Sequence, residues 1–240
     1  MIPSRKGLTL GEVLIVCGIL VLLAALVVPG LLQSRRVSNE RGASSVLATL
    51  ASAEADFRAN DRDGNGVNDF WTADVKGLYT MTSARVPGAG VGAGDPPLKL
   101  IDVSTAAADL DPAHVPAGGE NMQLGTFARP APLAGYWFAA MIVDRSAEPS
   151  EAAYRRDTQG SLNMGACHNK SKFGFVTLPD SSSSGKYLFI LNENNTQFRM
   201  ALSGSTRTGG SVPGLDAVHR IFLDWPADGE LKSFFSHCCD

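Results

Sequence analysis

Hydrophobic and polar positions change their rhythm several times along this chain. From Val13 to Ser34 no residue is charged, a run of 22 positions dominated by Leu, Val and Ile. The run is apolar all round, with no polar face, so it predicts a helix that is unstable in water and stable in lipid or in a bundle of like helices. At 1.5 Å per residue it spans about 33 Å, enough to cross a hydrocarbon layer of about 30 Å. After Arg35, Arg36 and Arg41 the pattern narrows to a stripe. Val46, Leu47, Leu50, Ala53 and Phe57 recur at spacings of three and four, with Ser44, Ser45, Ser52 and Arg58 off it. A stripe of that kind packs a helix onto a globular head. The two patterns join without a break and predict one rod from about Leu8 to Ala59. Pro29 removes one backbone donor and should bend the rod locally.

Further along, the period shortens to that of strands. Tyr136–Asp144 is aromatic and β-branched, Phe173–Leu178 is a second strand ended by Pro179, and Tyr187–Leu191 is a third. Asn192-Glu193-Asn194-Asn195 reads as a turn into a fourth, Thr196–Met200, which makes a hairpin of the last two. An antiparallel sheet of three or four strands leaves one face to be covered, and the stripe from Val46 to Phe57 is the natural cover. Helix on sheet is the α+β solution. Between helix and sheet, Arg85 to Leu133 is rich in Gly, Ala and Pro and reads as a long surface excursion, with a short ordered piece at Leu98–Val103.

Composition adds limits. The chain has 240 residues and a formal charge of −3, with 25 glycines and 13 prolines. Mild acidity without clustered Lys and Arg speaks against a nucleic-acid partner. No nucleophile elbow, phosphate loop or His-Glu-x-x-His is present. His114 and His219 each follow an acid by three residues, Asp111 and Asp216, and that spacing is too weak to carry catalysis. The chain is therefore not expected to be an enzyme.

The start of the chain carries the most specific signal. Arg5 and Lys6 precede Gly7, and Leu8-Thr9-Leu10-Gly11-Glu12 then leads into the apolar run. A removed secretory signal fits poorly, because Ala24-Ala25 is a weak cleavage site and the apolar character continues to Leu32. A lipoprotein signal needs a small residue before Cys17, and Val16 stands there. A plain membrane anchor gives no reason for Glu12, since charge inside a bilayer is expensive and usually has a partner. The basic leader ending in Gly, the Glu12 carboxylate and the unbroken apolar helix together resemble the class III signal of type IV pilins and type II secretion pseudopilins. Pro29 lies where many pilins carry a helix-kinking proline. Leu8 stands in place of the commoner Phe, and Gly11 in place of a bulkier apolar residue.

The resemblance implies cleavage by a prepilin peptidase between Gly7 and Leu8 and methylation of the new Leu8 amine. It implies that Glu12 neutralises the Leu8 amine of a neighbouring subunit during assembly. Residues 1–7 would be leader, 8–60 the long helix with 8–34 as transmembrane segment and filament core, and 61–240 the α+β head of a pilin-like lollipop. The implied protein is a structural subunit of a type IV pilus or a secretion pseudopilus, a homo- or hetero-polymer with other pilins. It would sit in the cytoplasmic membrane as a single-pass protein, head outward, and then in a periplasmic or cell-surface filament. The alternative is a membrane-anchored extracytoplasmic binding module that keeps its first seven residues.

Two further features concern metals and thiols. Asn60 to Asp69 resembles a calcium loop of the EF-hand or dockerin type. Asp61, Asp63 and Asn65 take the first, third and fifth positions, Gly66 the sharp turn, Val67 a carbonyl position and Asp69 the ninth. The twelfth position is Thr72 rather than Glu, and Asp74 is a substitute at the wrong spacing. A polar turn capping the helix is the competing reading. Of the four cysteines, Cys17 lies in the apolar run, while Cys167, Cys238 and Cys239 would lie outside the cytoplasm, where disulfides persist. A disulfide from Cys167 to one of the adjacent pair, free thiols, and a metal site with His168 and His237 all remain open.

Overall fold

The computed structural model describes residues 9–62, 66–80, 98–110, 129–146, 154, 168–202, 224–226 and 235–236. Helix α1 runs unbroken from Leu10 to Ala59, 50 residues, or about 75 Å at 1.5 Å per residue. Thr9 caps it, and the cap is reciprocal with Glu12. Pro29 lies inside the helix and offers no N–H to the carbonyl of Ala25, the one gap the sequence opens in the ladder. At the other end Asn60 donates its side-chain amide to the Asp56 carboxylate at 2.6 Å, and Arg62 pairs with the same carboxylate at 2.8 Å.

The two halves of α1 differ as their sequences demand. Every residue from Leu10 to Arg35 is exposed, including Leu10 at 81% and Leu26 at 79%. In the rear half Leu47, Leu50, Ala53 and Phe57 are buried, with Val46 packed at the margin. Ser44, expected off the stripe, is also buried. Its hydroxyl meets Gln197 Oε1 at 2.5 Å, and its carbonyl accepts from Gln197 Nε2 at 2.9 Å. The hydroxyl is thus satisfied on the buried face, which is why a serine is tolerated there. Two more contacts tie α1 to the head: Asn39 Nδ2 donates to the Ser184 carbonyl at 3.0 Å, and the Lys186 N–H donates to Glu40 at 2.8 Å.

After α1 come β1 (Phe70–Trp71), α2 (Gly77–Thr80) and α3 (Val103–Ala107), then β2 (Tyr136–Ala140), β3 (Val143–Asp144), β4 (His168–Asn169), β5 (Gly174–Pro179), β6 (Tyr187–Asn192), β7 (Gln197–Ala201), β8 (Asp224–Trp225) and β9 (Phe235–Ser236). The main sheet has the order β2-β5-β6-β7-β9, and every neighbour is antiparallel. The expected hairpin is β6–β7, with Asn195 in the left-handed region at φ +55° and its N–H bonded to the Asn192 carbonyl at 2.9 Å. The expected strand Tyr136–Asp144 is two strands. It leaves the main sheet after Ala140, and Val143–Asp144 pairs in parallel with β8 instead. The fifth strand of the main sheet, β9, comes from near the end of the chain.

Side chains alternate across the sheet. Tyr136, Phe138, Phe175, Phe189 and Leu191 share a cluster with the α1 stripe. Ala139, Val176, Leu178, Leu188 and Ile190 face the other way, into a second cluster with Met141, Tyr154, Leu202 and Trp225. Both faces are therefore covered, not one. The outer edge of β2 is also occupied: Phe138 accepts from Leu110 N at 2.7 Å and donates to the Ala108 carbonyl at 2.9 Å. An edge so covered cannot recruit another strand.

Candidate functional site

The first candidate is the front of α1. Glu12 lies in its first turn, where a carboxylate complements the helix dipole. Its Oε2 accepts from the Thr9 backbone N–H at 2.8 Å and from the Thr9 hydroxyl at 2.9 Å, while Thr9 Oγ1 accepts from the Glu12 N–H at 3.3 Å. Glu12 is thus held in one rotamer at the mouth of the apolar run. Gly7 and Leu8 lie outside the described residues. From Leu10 to Leu32, fifteen large aliphatic side chains are exposed and none of these helix positions is buried. The helix is long and apolar enough to cross a membrane.

The second candidate is the segment that follows α1. Asp61 adopts φ +44°, and its Oδ2 accepts the Gly66 N–H at 2.9 Å. Its Oδ1 is buried and has no hydrogen-bond partner. Gly66 has φ +85°, the left-handed turn that its place in the loop requires. Val67 is half-buried and Asp69 is buried. Asp63 and Asn65 lie outside the described residues. Asp74 cannot stand in for the missing twelfth ligand. Its Oδ1 accepts from Trp71 Nε1 at 3.1 Å and from the Gly77 N–H at 2.8 Å, deep in the head. Gly77 is needed there, because a Cβ would run into the Trp71 indole. Among the described residues no group of three or more Asp, Glu, His or Cys converges as a metal site. An orphan carboxylate oxygen beside a glycine turn is nevertheless the donor type that a hard cation takes.

The chain also buries acids that the hydrophobic stripe conceals. Glu54 is fully buried on α1, and its Oε2 accepts the backbone N–H of Trp71 at 3.0 Å. Its Oε1 has no hydrogen-bond partner. Burial pushes its carboxyl well above the usual carboxylate range, the Trp71 N–H pulls it back, and the neighbouring Asp69 charge pushes it further up. A signal for Glu54 was present in the sequence: it continues the 47-50-54-57 rhythm of the stripe. Asp109 is the second such acid. Its Oδ2 accepts from Val75 N and Lys76 N, each at 2.8 Å. Glu54, Asp74 and Asp109 thus each hold part of the 71–77 backbone against the core.

The third candidate is a cleft of about 520 Å³ between the last turns of α1 and the β6–β7 turn. Phe70 and Phe173 line it, ring centroids 4.8 Å apart and tilted by 59°. The Arg58 guanidinium lies 4.8 Å over the Phe70 ring. Glu193 reaches in from the turn, and its Oε2 is buried without a hydrogen-bond partner. Burial raises the Glu193 carboxyl above its ordinary range, against the pull of its own N–H and that of Phe173.

Cys17 is a free, exposed thiol on α1. Cys167, Cys238 and Cys239 lie outside the described residues, as do His114, His219 and His237. His168 belongs to β4, where its backbone pairs with Trp71. Comparison of this chain with family models, with curated proteins and with solved structures finds no match.

Proposed function

We propose that this chain is a structural subunit that polymerises through its N-terminal helix, in a type IV pilus or a type II secretion pseudopilus. The observation that carries the reading is the division of α1: an exposed apolar front joined without a break to a rear half buried in the head. Removing one large aliphatic side chain from water contributes roughly 1.5–3 kcal/mol. The fifteen between Leu10 and Leu32 together outweigh the whole 5–15 kcal/mol stability of a typical domain, so that surface belongs in lipid or against like helices.

In this reading a prepilin peptidase in the cytoplasmic membrane cuts between Gly7 and Leu8, and Leu8 is methylated. Before assembly the Thr9 cap satisfies Glu12. In the filament Glu12 takes the Leu8 ammonium of a neighbour. Such a pair in a dry bundle contributes alignment more than stability. Pro29, with no N–H to give, is where the rod would bend to fit its neighbours. The head faces the periplasm or the cell surface. A calcium ion held by Asp61, Asp63, Asn65, the Val67 carbonyl and Asp69 would tie the end of α1 to the head.

Mass spectrometry of the mature N-terminus tests the reading directly. Methyl-Leu8 is expected. A retained Met1 leaves the membrane-anchored binding module as the function. Glu12→Ala should still enter the membrane yet be missing from sheared filaments, and normal polymerisation of that variant removes the role given to Glu12.

A further inference from the structure

We propose that the cleft at the far end of α1 is a binding site for the ring of a neutral sugar. The argument begins with hydrogen-bonding capacity left unused. Arg58, Asn68 and Asn195 line the cleft, and among the described residues their side chains make no hydrogen bond with protein. Glu193 Oε2 is buried and lacks a donor. That oxygen is closed to water in the free cleft, so the polar groups a ligand meets first are the exposed side chains of Arg58, Asn68 and Asn195.

The kinds of group present define the ligand. Arg58 only donates, the Glu193 carboxylate accepts, and the two amides do both. All four are flat, forked groups suited to two neighbouring polar atoms at once, and Arg58 is already held flat by the Phe70 ring. A sugar hydroxyl both donates and accepts, so a ring of them satisfies Arg58 and both amides. One cation and one carboxylate in the same cleft cancel, which favours a ligand of no net charge. Phe70 and Phe173 form the floor of the cleft but are only 5% and 4% exposed, so the apolar surface open to the C–H face of a sugar ring comes from the exposed Ala55 and Ala59 methyl groups. On the helix side Ala51, Ala55 and Ala59 present only methyl groups and leave room. The volume, about 520 Å³, falls within the usual range for small-molecule sites and holds about one or two sugar rings.

This site lies at the head end of α1 and stands whether the front of the helix builds a filament or a tether. The test uses the full chain in micelles of a detergent without a sugar headgroup, since glucoside or maltoside headgroups would compete. Glucose, galactose, mannose, N-acetylglucosamine and their β-linked dimers are titrated by calorimetry and by NMR. At least one should bind with a Kd of about 1 mM or tighter. Arg58→Ala and Asn195→Ala should each weaken it by about tenfold, the effect of losing one charge-assisted or paired hydrogen bond. Ala55→Trp and Ser52→Trp, both at exposed positions, should fill the cleft and abolish binding while leaving the melting temperature unchanged. The proposal is overturned if no sugar of the panel saturates, if binding survives both tryptophan variants, or if free amino acids bind in place of the sugars.

Discussion

Trp71 gives its backbone N–H to the carboxyl of Glu54, 17 residues earlier, at 3.0 Å inside the core. That bond ties β1 to α1 through an acid with no exposure to solvent. The sign of its pH dependence follows from its raised folded-state pKa. The folded protein holds the Glu54 proton more tightly than the unfolded chain, so the stabilising contribution is complete below the unfolded value and is lost as pH rises through the folded value. Glu54→Gln keeps an acceptor for Trp71 and cannot ionise. Its melting temperature should exceed that of the native chain at about pH 8, and the two should converge near about pH 4. A constant difference across that interval would mean that Glu54 does not titrate in the fold.

Leu50 and Phe57 lie on the α1 stripe with 0% and 1% exposure. Leu50→Ala and Phe57→Ala should each destabilise the head by about 2–5 kcal/mol. Leu22→Ala, on the exposed front, should leave thermal unfolding of the head unchanged. Equal losses from all three would contradict the division of the helix into two environments.

Ser44 and Gln197 exchange hydrogen bonds between α1 and β7. A double-mutant cycle with Ser44→Ala and Gln197→Ala should give a coupling of about 0.5–1.5 kcal/mol in chemical denaturation. Strict additivity would show that the pair does not clamp helix to sheet.

The proposed calcium loop makes a prediction about metal removal. Millimolar calcium should raise the melting temperature by mass action, a chelator should reverse it, and Asp61→Ala should abolish the response. The same melting temperature with calcium and with chelator would leave Asp61 as a helix-terminating turn.

Legibility followed the length of the signal. The rod and its two characters were readable because 50 residues repeat one rhythm and then another. The β6–β7 hairpin was readable because Asn192-Glu193-Asn194-Asn195 supplies turn chemistry between two apolar runs. The two-residue strands β1, β3, β4, β8 and β9 were not, since two positions cannot show an alternation. The break after Ala140 was hidden because Met141 and Ile142 continue the apolar run. Tyr154 and Trp225 were invisible as cover for the second face, being lone aromatics far from the sheet in sequence. Ser44 was misread because a polar side chain was assumed to mark the outer face, whereas it is buried with a hydrogen-bond partner; Glu54, on the stripe by spacing, was passed over. At the calcium-like loop, Asp74 looked available by type, and the core had already engaged it.

Because a single uninterrupted helix serves as both foot and spine, the head has no swivel of its own. Any tilt, twist or pull applied at the greasy end travels up the rod to the head through Asn39, Glu40, Ser44 and Glu54. The proline two fifths of the way along, which offers no N–H to the ladder, is where the lever yields most readily.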